Sequence, residues 1–250
     1  MLQPWQTGTI IQIEDITAST KRFWIRLAGS GSFDFKPGQF VTLDLPIHEK
    51  PSKRWRSYSI ASWPDGSNVF ELVIVLLEDG AGTNYLFNQA GVGTELTLRG
   101  PQGVFVLPEN IEKELFFICT GTGIAPFRSM AHHILNHGIA HRNIYLIFGC
   151  RKFNDCLYKD ELEDLAGRLP GFYYIPTFSR ETPVPGPDHT GKTFRTGYVH
   201  AIYEEICRNN SGLSPSHFYL CGWKNMIDEA KLRIQAIGYD KKCIHQELYG

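Results

Sequence analysis

The feature that most constrains this chain is a change of hydrophobic rhythm near Pro108. Before it, residues 8–16 and 21–27 alternate polar and apolar side chains, and residues 39–45, 56–61, 70–77 and 95–99 follow as short runs between Gly, Pro and Asp. A period of two marks strands buried on one face, and six of them at this spacing predict an antiparallel six-stranded β-barrel. One or two helical turns are expected at 83–89. After Pro108 the runs become wholly apolar, beginning with Leu115-Phe116-Phe117-Ile118-Cys119, and alternate with helical periodicity. Strands are expected at 115–119, 143–148, 172–178, 218–221 and 243–248, with helices at 126–136, 159–168, 199–208 and 225–237. Continuously apolar strands alternating with helices predict an α/β domain, a parallel sheet covered on both faces. Two domains follow, 1–108 and 109–250. The Pro- and Gly-rich stretch 183–195 is expected to be a mobile loop inside the second.

A globule of 250 residues buries roughly three-quarters of its extended surface, so no disulfide or metal is needed to hold it. Its 25 Lys and Arg nearly balance 26 Asp and Glu. A nucleic-acid binder would carry a cationic excess, so no nucleic-acid partner is expected. The longest apolar runs are strand-sized, which predicts no membrane span, and the N-terminus lacks the basic and apolar stretches of a signal peptide. A soluble, cytoplasmic monomer is expected. Six cysteines, at 119, 150, 156, 207, 221 and 243, form no CxxC and no iron–sulfur spacing. Most are expected to be buried apolar groups, and His132-His133 is read as surface or core rather than as a metal site.

Three segments carry candidate chemistry. Cys119-Thr120-Gly121-Thr122-Gly123-Ile124-Ala125-Pro126 joins a buried strand to a helix. Glycines there let backbone approach a diphosphate, and the helix N-terminus presents N–H groups and partial positive charge. The same pattern also serves as an ordinary strand-to-helix turn. In Arg56-Ser57-Tyr58-Ser59, alternation puts Arg56 and Tyr58 on one side of a strand: a phosphate-binding guanidinium and an aromatic face, or a plain exposed strand. Gly80-Ala81-Gly82-Thr83 is a second phosphate candidate ahead of a helix start.

Their order is more specific than any one of them. Pro37-Gly38-Gln39-Phe40, Arg56-Ser57-Tyr58-Ser59, Gly80-Ala81-Gly82-Thr83, Gly100-Pro101-Gln102-Gly103, Gly121-Thr122-Gly123-Ile124-Ala125-Pro126, Tyr219-Leu220-Cys221-Gly222 and Glu247-Leu248-Tyr249 occur in one succession. That succession resembles the ferredoxin–NADP reductase superfamily of flavoenzymes from end to end. The resemblance implies a FAD-binding β-barrel followed by an NAD(P)-binding α/β domain, with flavin and nicotinamide meeting in a cleft. It implies that Arg56 binds the FAD diphosphate, Tyr58 stacks on the isoalloxazine and Ser59 hydrogen-bonds near flavin N5. Val73, Ile74 and Val75 would run beside the ribityl and adenine portions, and Gly82 and Thr83 would form a second diphosphate turn, with Thr83 standing where the family more often has Ser. Gly121, Thr122 and Gly123 would cradle the nicotinamide cofactor's diphosphate. Cys221, with Gly222 after it, would lie beside the nicotinamide ring. Glu247 would be the C-terminal acid near the active site and Tyr249 the aromatic covering the flavin, although Gly250 follows it here.

Ser179-Arg180 resembles the pair with which NADP-using members hold the 2′-phosphate, and Arg151, Lys192 and Arg195 add charge nearby. Thr196-Gly197-Tyr198 looks instead like NADH-using relatives. NADP(H) is expected, with NAD(H) as the alternative. The resemblance implies hydride transfer from nicotinamide C4 to flavin N5, then release of single electrons to a separate ferredoxin or flavodoxin-like carrier. Lys21, Arg22, Lys50, Lys53 and Arg54 are offered as a docking face for such an acidic partner. The alternatives are an NADH-dependent flavin reductase or oxygenase reductase component, and a non-catalytic electron-transfer or regulatory subunit. With about 108 residues of barrel and about 142 of α/β sheet, the expectation is a stand-alone reductase core without an iron–sulfur domain.

Overall fold

The computed structural model describes residues 3–29, 31–181, 195–209 and 213–248. Of the stretch 183–195 only Arg195 is described; Lys192 and Tyr249 lie outside the described residues.

The first half builds the predicted antiparallel sheet from β1 (Gln6–Thr17), β2 (Thr20–Leu27), β3 (Phe40–Asp44), β4 (Trp55–Ser59), β5 (Val69–Val75) and β6 (Glu95–Gln102), in the order β4-β3-β6-β1-β2-β5. Its two edges meet: Ile60, just past β4, bridges Leu72 of β5, and the Ala61 N–H donates to the Glu71 carbonyl at 2.8 Å. That contact closes the sheet into a barrel and removes exposed strand edges. Inward positions are filled by Ile10, Phe23, Ile25, Val41, Leu43, Phe70, Leu72 and Leu98. Helix α1 (Ala81–Asn88) follows β5.

The second half forms a parallel sheet from β7 (Glu114–Thr120), β8 (Ile144–Cys150), β9 (Phe172–Phe178), β10 (Arg195–Thr196), β11 (Ser216–Gly222) and β12 (Ile244–Leu248), in the order β10-β9-β8-β7-β11-β12. Helices α2 (Ala125–His137), α3 (Lys159–Arg168), α4 (Val199–Asn209) and α5 (Lys224–Ile237) make the crossovers. One sheet face packs Phe116, Ile118, Ile147, Phe218 and Leu220 against Val199, Ile202 and Tyr203 of α4 and Ile227, Ala230 and Ile234 of α5. Strand order runs outward from β7 in both directions, so the topological switch point lies between β7 and β11. Open α/β sheets bind ligands beyond the carboxyl ends of strands at such a point.

The chain divides into two compact units. One holds residues 1–107 with 125–133, and the other holds 108–124 with 134–250. The first nine residues of α2 therefore count with the barrel. Their Arg128 is 4% exposed and donates to the Ala61 carbonyl at 2.8 Å and to Glu71 at 3.0 Å. Glu71, 2% exposed, also receives both Nε and Nη2 of Arg22, at 2.8 and 2.9 Å. The carboxylate is thus buried but hydrogen-bonded from two guanidiniums, the condition under which a buried charge is tolerated. His132 stacks on Trp63 with ring centroids 4.0 Å apart. Cys119, Cys207 and Cys221 are buried, whereas Cys150, Cys156 and Cys243 are half-buried, fewer buried thiols than composition suggested.

Candidate functional site

Two groups of sequence-predicted residues come together, one in each unit. In the barrel, Arg56 and Tyr58 of β4 pair with the buried Leu43 and Val41 of β3, so both side chains leave the same face. Ser57 points the other way, its hydroxyl 3.1 Å from that of Thr42. Nη1 of Arg56 donates to the carbonyls of Lys53 at 3.0 Å and Trp55 at 2.8 Å, which hold the guanidinium without neutralising it. Gly82 stands against it: a Cβ there would lie 2.9 Å from Arg56 Cγ. Burial pushes the Tyr58 phenol up to about 12, with the nearby Arg56 charge opposing, so it stays protonated at neutral pH. Ser59 is buried, as are Val73 and Ile74 of β5, while Val75 is half-buried.

The hydroxyl of Thr83 is spent inside its own turn. It accepts from the Leu77 N–H at 3.1 Å and faces the carbonyls of Leu77 at 3.2 Å and Gly80 at 3.0 Å. The first i→i−4 bond of α1 is Asn84 to Gly80 at 2.9 Å. The N–H groups of Ala81, Gly82 and Thr83 precede it, as the donors a helix start leaves without an internal acceptor. Any hold on an anion at this turn runs through backbone rather than the Thr83 hydroxyl. The Gln39 side chain ties Pro37-Gly38-Gln39-Phe40 to the Gly100-Pro101-Gln102-Gly103 loop, its oxygen accepting from Lys36 at 2.8 Å and its amide donating to Gly103 at 3.2 Å.

In the second unit, Gly121, Thr122 and Gly123 form a 3-10 turn between β7 and α2, at the switch point. Gly123 lies against the end of β11, where a Cβ would sit 2.3 Å from the Cys221 carbonyl oxygen. Gly222, at φ +145°, would drive a Cβ to 2.4 Å from Thr120 Oγ1. These approaches require glycine. Gly121, at φ +55°, is open, with only the Trp223 indole nitrogen at 4.0 Å from a Cβ position. Cys221 is fully buried and paired in register with Cys119 of β7 and Glu247 of β12, so all three lie in one row across the sheet. Burial pushes the Cys119 thiol well up.

Arg151, Ser179 and Arg180 gather at the carboxyl ends of β8 and β9. The Ser179 N–H donates to the Cys150 carbonyl at 3.0 Å, and the Arg180 N–H to the Arg151 carbonyl at 2.8 Å. Both arginines are exposed. Arg195 is not available in the same way, because it forms a two-point pair with Glu205 at 2.8 and 3.1 Å. At the ends of β7 and β11, Trp223 escaped the sequence reading, and Thr120 entered it only as part of the glycine run. Thr120 accepts from the Trp223 N–H at 3.4 Å, and Trp223 is 53% exposed at the start of α5. The exposed aromatic inside a Cys-Gly-x-x-x-Met run was the available signal.

Comparison with known proteins covers both halves of the chain. Residues 7–107 match the model of the oxidoreductase FAD-binding domain and residues 117–231 that of the oxidoreductase NAD-binding domain. Ferredoxin–NADP reductase B of Sorangium cellulosum is 34% identical over 244 residues, covering 96% of each chain. The chain belongs to the ferredoxin–NADP reductase superfamily. This flavoenzyme is an NAD(P)H-dependent flavin oxidoreductase, with FAD and NAD(P)H as its cofactors. The phenol hydroxylase P5 protein of Acinetobacter pittii is 31% identical over 249 residues, but the chain spans only 66% of that protein. Among solved structures, an Amycolatopsis cytochrome P450 reductase superposes with a TM-score of 0.83 at 26% identity, over 99% of this chain and 71% of that one. A Neisseria gonorrhoeae ferredoxin NADP+ reductase with bound FAD and NADP has the same fold, with a TM-score of 0.79 at 23% identity over 98% of this chain and 99% of that one.

The residues of this superfamily member fit both cofactors: an un-neutralised Arg56 beside Gly82, and an open glycine turn at the switch point. The suggested cationic docking face fares differently. Lys21 lies 3.6 Å from Asp15, Arg22 is held by Glu71 and Glu14, and Arg54 forms a two-point pair with Asp44. Those three cations are satisfied within the protein, which leaves Lys50 and Lys53 exposed. Among the described residues no helix is long and apolar enough to cross a membrane.

Proposed function

We propose that this chain is an NADPH-dependent reductase whose electron acceptor is a separate carrier, a ferredoxin or a flavodoxin-like protein. In this reading residues 1–108 form the flavin-binding domain and 109–250 the nicotinamide-binding domain. Bound FAD would supply the redox chemistry, hydride from the nicotinamide and single electrons to the carrier, while the residues of the site would hold and orient it. Arg56, with the N–H groups at Gly82 and Thr83, holds the flavin diphosphate. Tyr58, uncharged, would offer its ring to the isoalloxazine, Ser59 would serve near N5, and Val73, Ile74 and Val75 would line the rest. Gly121, Thr122 and Gly123 would take the nicotinamide cofactor's diphosphate, Cys221, Gly222 and Glu247 at the strand ends would serve beside its ring, and Tyr249 would be the covering aromatic. No group in this set has to take up or deliver a substrate proton, so the protein's work is alignment and charge.

The observation that carries the NADPH preference is the cluster of Arg151, Ser179 and Arg180, two exposed guanidiniums and a hydroxyl fastened to adjacent strand ends. A phosphate monoester needs such a set. NADH is the second reading, favoured by Tyr198, 72% exposed after Gly197, and by the pairing of Arg195 with Glu205. With it goes an oxygenase as acceptor, since the 31%-identical relative is a phenol hydroxylase component. Anaerobic reduction of the flavoprotein by NADPH and NADH in parallel decides. Faster reduction at lower concentration with NADPH is expected, and Arg180→Ala should raise its KM about tenfold or more while sparing NADH. Equal use of both nucleotides by the wild type would overturn the preference.

A further inference from the structure

We propose that the acidic electron carrier, on the reading that it is the acceptor, docks on the outward face of the barrel around Trp5, Trp55 and Arg99, with one of its carboxylates closing on the Arg99 guanidinium. Arg99 of β6 faces Thr42 of β3, while Trp55 of β4 faces Asp44, two residues further along β3. Gln6 of β1 faces Leu98, which sets Trp5 beside Arg99. Both indoles turn onto the guanidinium. Its central carbon lies 4.7 Å from the Trp5 ring centroid and 4.6 Å from that of Trp55, and the two rings are 5.7 Å apart at 46°. Trp5 and Trp55 remain 38% and 37% exposed.

A half-buried arginine ordinarily spends its N–H groups on a carboxylate or a carbonyl. Among the described residues Arg99 has neither: it forms no ion pair and no hydrogen bond, and its Nε is sealed from water without an acceptor. The amide nitrogen of Gln102, three residues on, is in the same condition, although Gln102 Oε1 accepts from the Thr42 hydroxyl at 3.4 Å. Thr42 lies beneath them, 4% exposed. Orphaned donors beside a stacked cation call for an acceptor from outside. The acid nearest in register, Asp44, is taken by Arg54. Glu95 begins β6 four residues from Arg99, about 13 Å along the strand. Lys50 and Lys53 are exposed on the turn leading into β4, beside Glu49. The cations Lys50, Lys53, Arg54 and Arg99 thus outnumber the acids Asp44, Glu49 and Glu95, and Arg99 is the cation left unmatched inside an aromatic frame.

The outer face of an antiparallel sheet ordinarily carries polar side chains to water, so two half-exposed indoles on it mark a contact surface. Tryptophan and arginine are also the residues that dominate the binding energy of protein interfaces. Carboxylate is the matching chemistry, because it accepts two parallel N–H bonds from a guanidinium, and the indoles that flank the pair keep water from screening it. The position suits an electron acceptor. Three residues of β4, about 10 Å of strand, separate Trp55 from Tyr58, whose side chain leaves the other face. A carrier held on Trp55 therefore sits across one strand from the Tyr58 ring.

The test uses the full FAD-loaded protein and a plant-type two-iron ferredoxin, an acidic carrier. Oxidised ferredoxin is titrated by calorimetry at low and high salt, and NAD(P)H-driven reduction of ferredoxin, ferricyanide and the basic cytochrome c is followed in parallel. Arg99→Gln is expected to weaken ferredoxin binding about tenfold at low salt and to flatten its salt dependence. Arg99→Glu should weaken it further, and Trp5→Ala about fivefold. The KM for ferredoxin should rise to match, with kcat, ferricyanide reduction and FAD content unchanged, and Arg99→Glu should reduce cytochrome c at least as fast as the wild type. Wild-type ferredoxin affinity in both Arg99 variants overturns the docking face. A loss shared equally by ferricyanide overturns it too, since that marks a role in the fold alone. Self-association that Trp5→Ala abolishes, with ferredoxin binding unchanged, overturns it in favour of a second copy of the chain. A wild-type protein that reduces ferricyanide but neither binds nor reduces ferredoxin overturns the carrier reading itself, and the docking face falls with it.

Discussion

At the scale of single residues, backbone proximity does more of the work than side-chain chemistry. Gly123→Ala would place a methyl 2.3 Å from the Cys221 carbonyl oxygen, so backbone must move. A loss of about 1–3 kcal/mol is expected, with weaker NADPH binding, read by denaturant unfolding and nucleotide titration. Gly121→Ala meets no such wall and carries only the strain of φ +55°, so its cost should be smaller. Histidines set the pH response. Burial lowers His200, His217 and His245, helped at His217 by Lys113 and His245. The unfolded chain takes up protons near pH 6.5 that these folded histidines still refuse. Stability should hold above about pH 7 and decline as pH falls below about 6.5; a urea midpoint that rises on acidification to pH 5.5 would contradict this. The glycines and Arg56 were legible in the sequence because each has a local signature. The place of Trp223 was not, since it depends on which strand ends lie side by side.

Among the elements, hydrophobic rhythm located nearly all the strands and helices, with α3 and β9 matching to the residue. Strand β10 was missed because two residues, Arg195 and Thr196, carry no periodicity; they are a strand only through pairing with Thr177 and Phe178. The start of α1 rests on Thr83. Thr83→Ala removes a hydroxyl that serves Leu77 and Gly80 together, and a loss of about 1–2 kcal/mol is expected, with faster FAD release measurable by fluorescence. The linkage of β2, β5 and α2 is costlier to disturb. Glu71→Gln leaves Arg22 and Arg128 without their shared carboxylate, and about 3–5 kcal/mol should be lost in chemical denaturation. A drop below 1 kcal/mol would mean that water already reaches the group. Glu71 inside the run Val69–Val75 was visible in the sequence as a lone acid among apolar residues, but its partners were not.

Across the whole molecule, the two architectures were readable from one change of rhythm, while the path of the chain between the units was not. Residues 125–133 lie beyond the first strand of the second sheet yet pack in the barrel unit, with Phe127 against Phe105 at 5.8 Å between ring centroids and Arg128 on Glu71. Nothing in the pattern of α2 separates that half from an ordinary crossover helix. A fragment ending at residue 108 lacks those contacts. It is expected to keep strand signal in the far ultraviolet but to lose the near-ultraviolet dichroism of a fixed core, whereas the full chain shows both. The same threading sets an order of events on the ribosome. The barrel's packing can be completed only after residue 133 has left the exit tunnel, when β7 is already out and still without neighbours. During that interval of translation an unfinished barrel and a bare apolar strand are present together, and that is when the nascent chain most needs shelter.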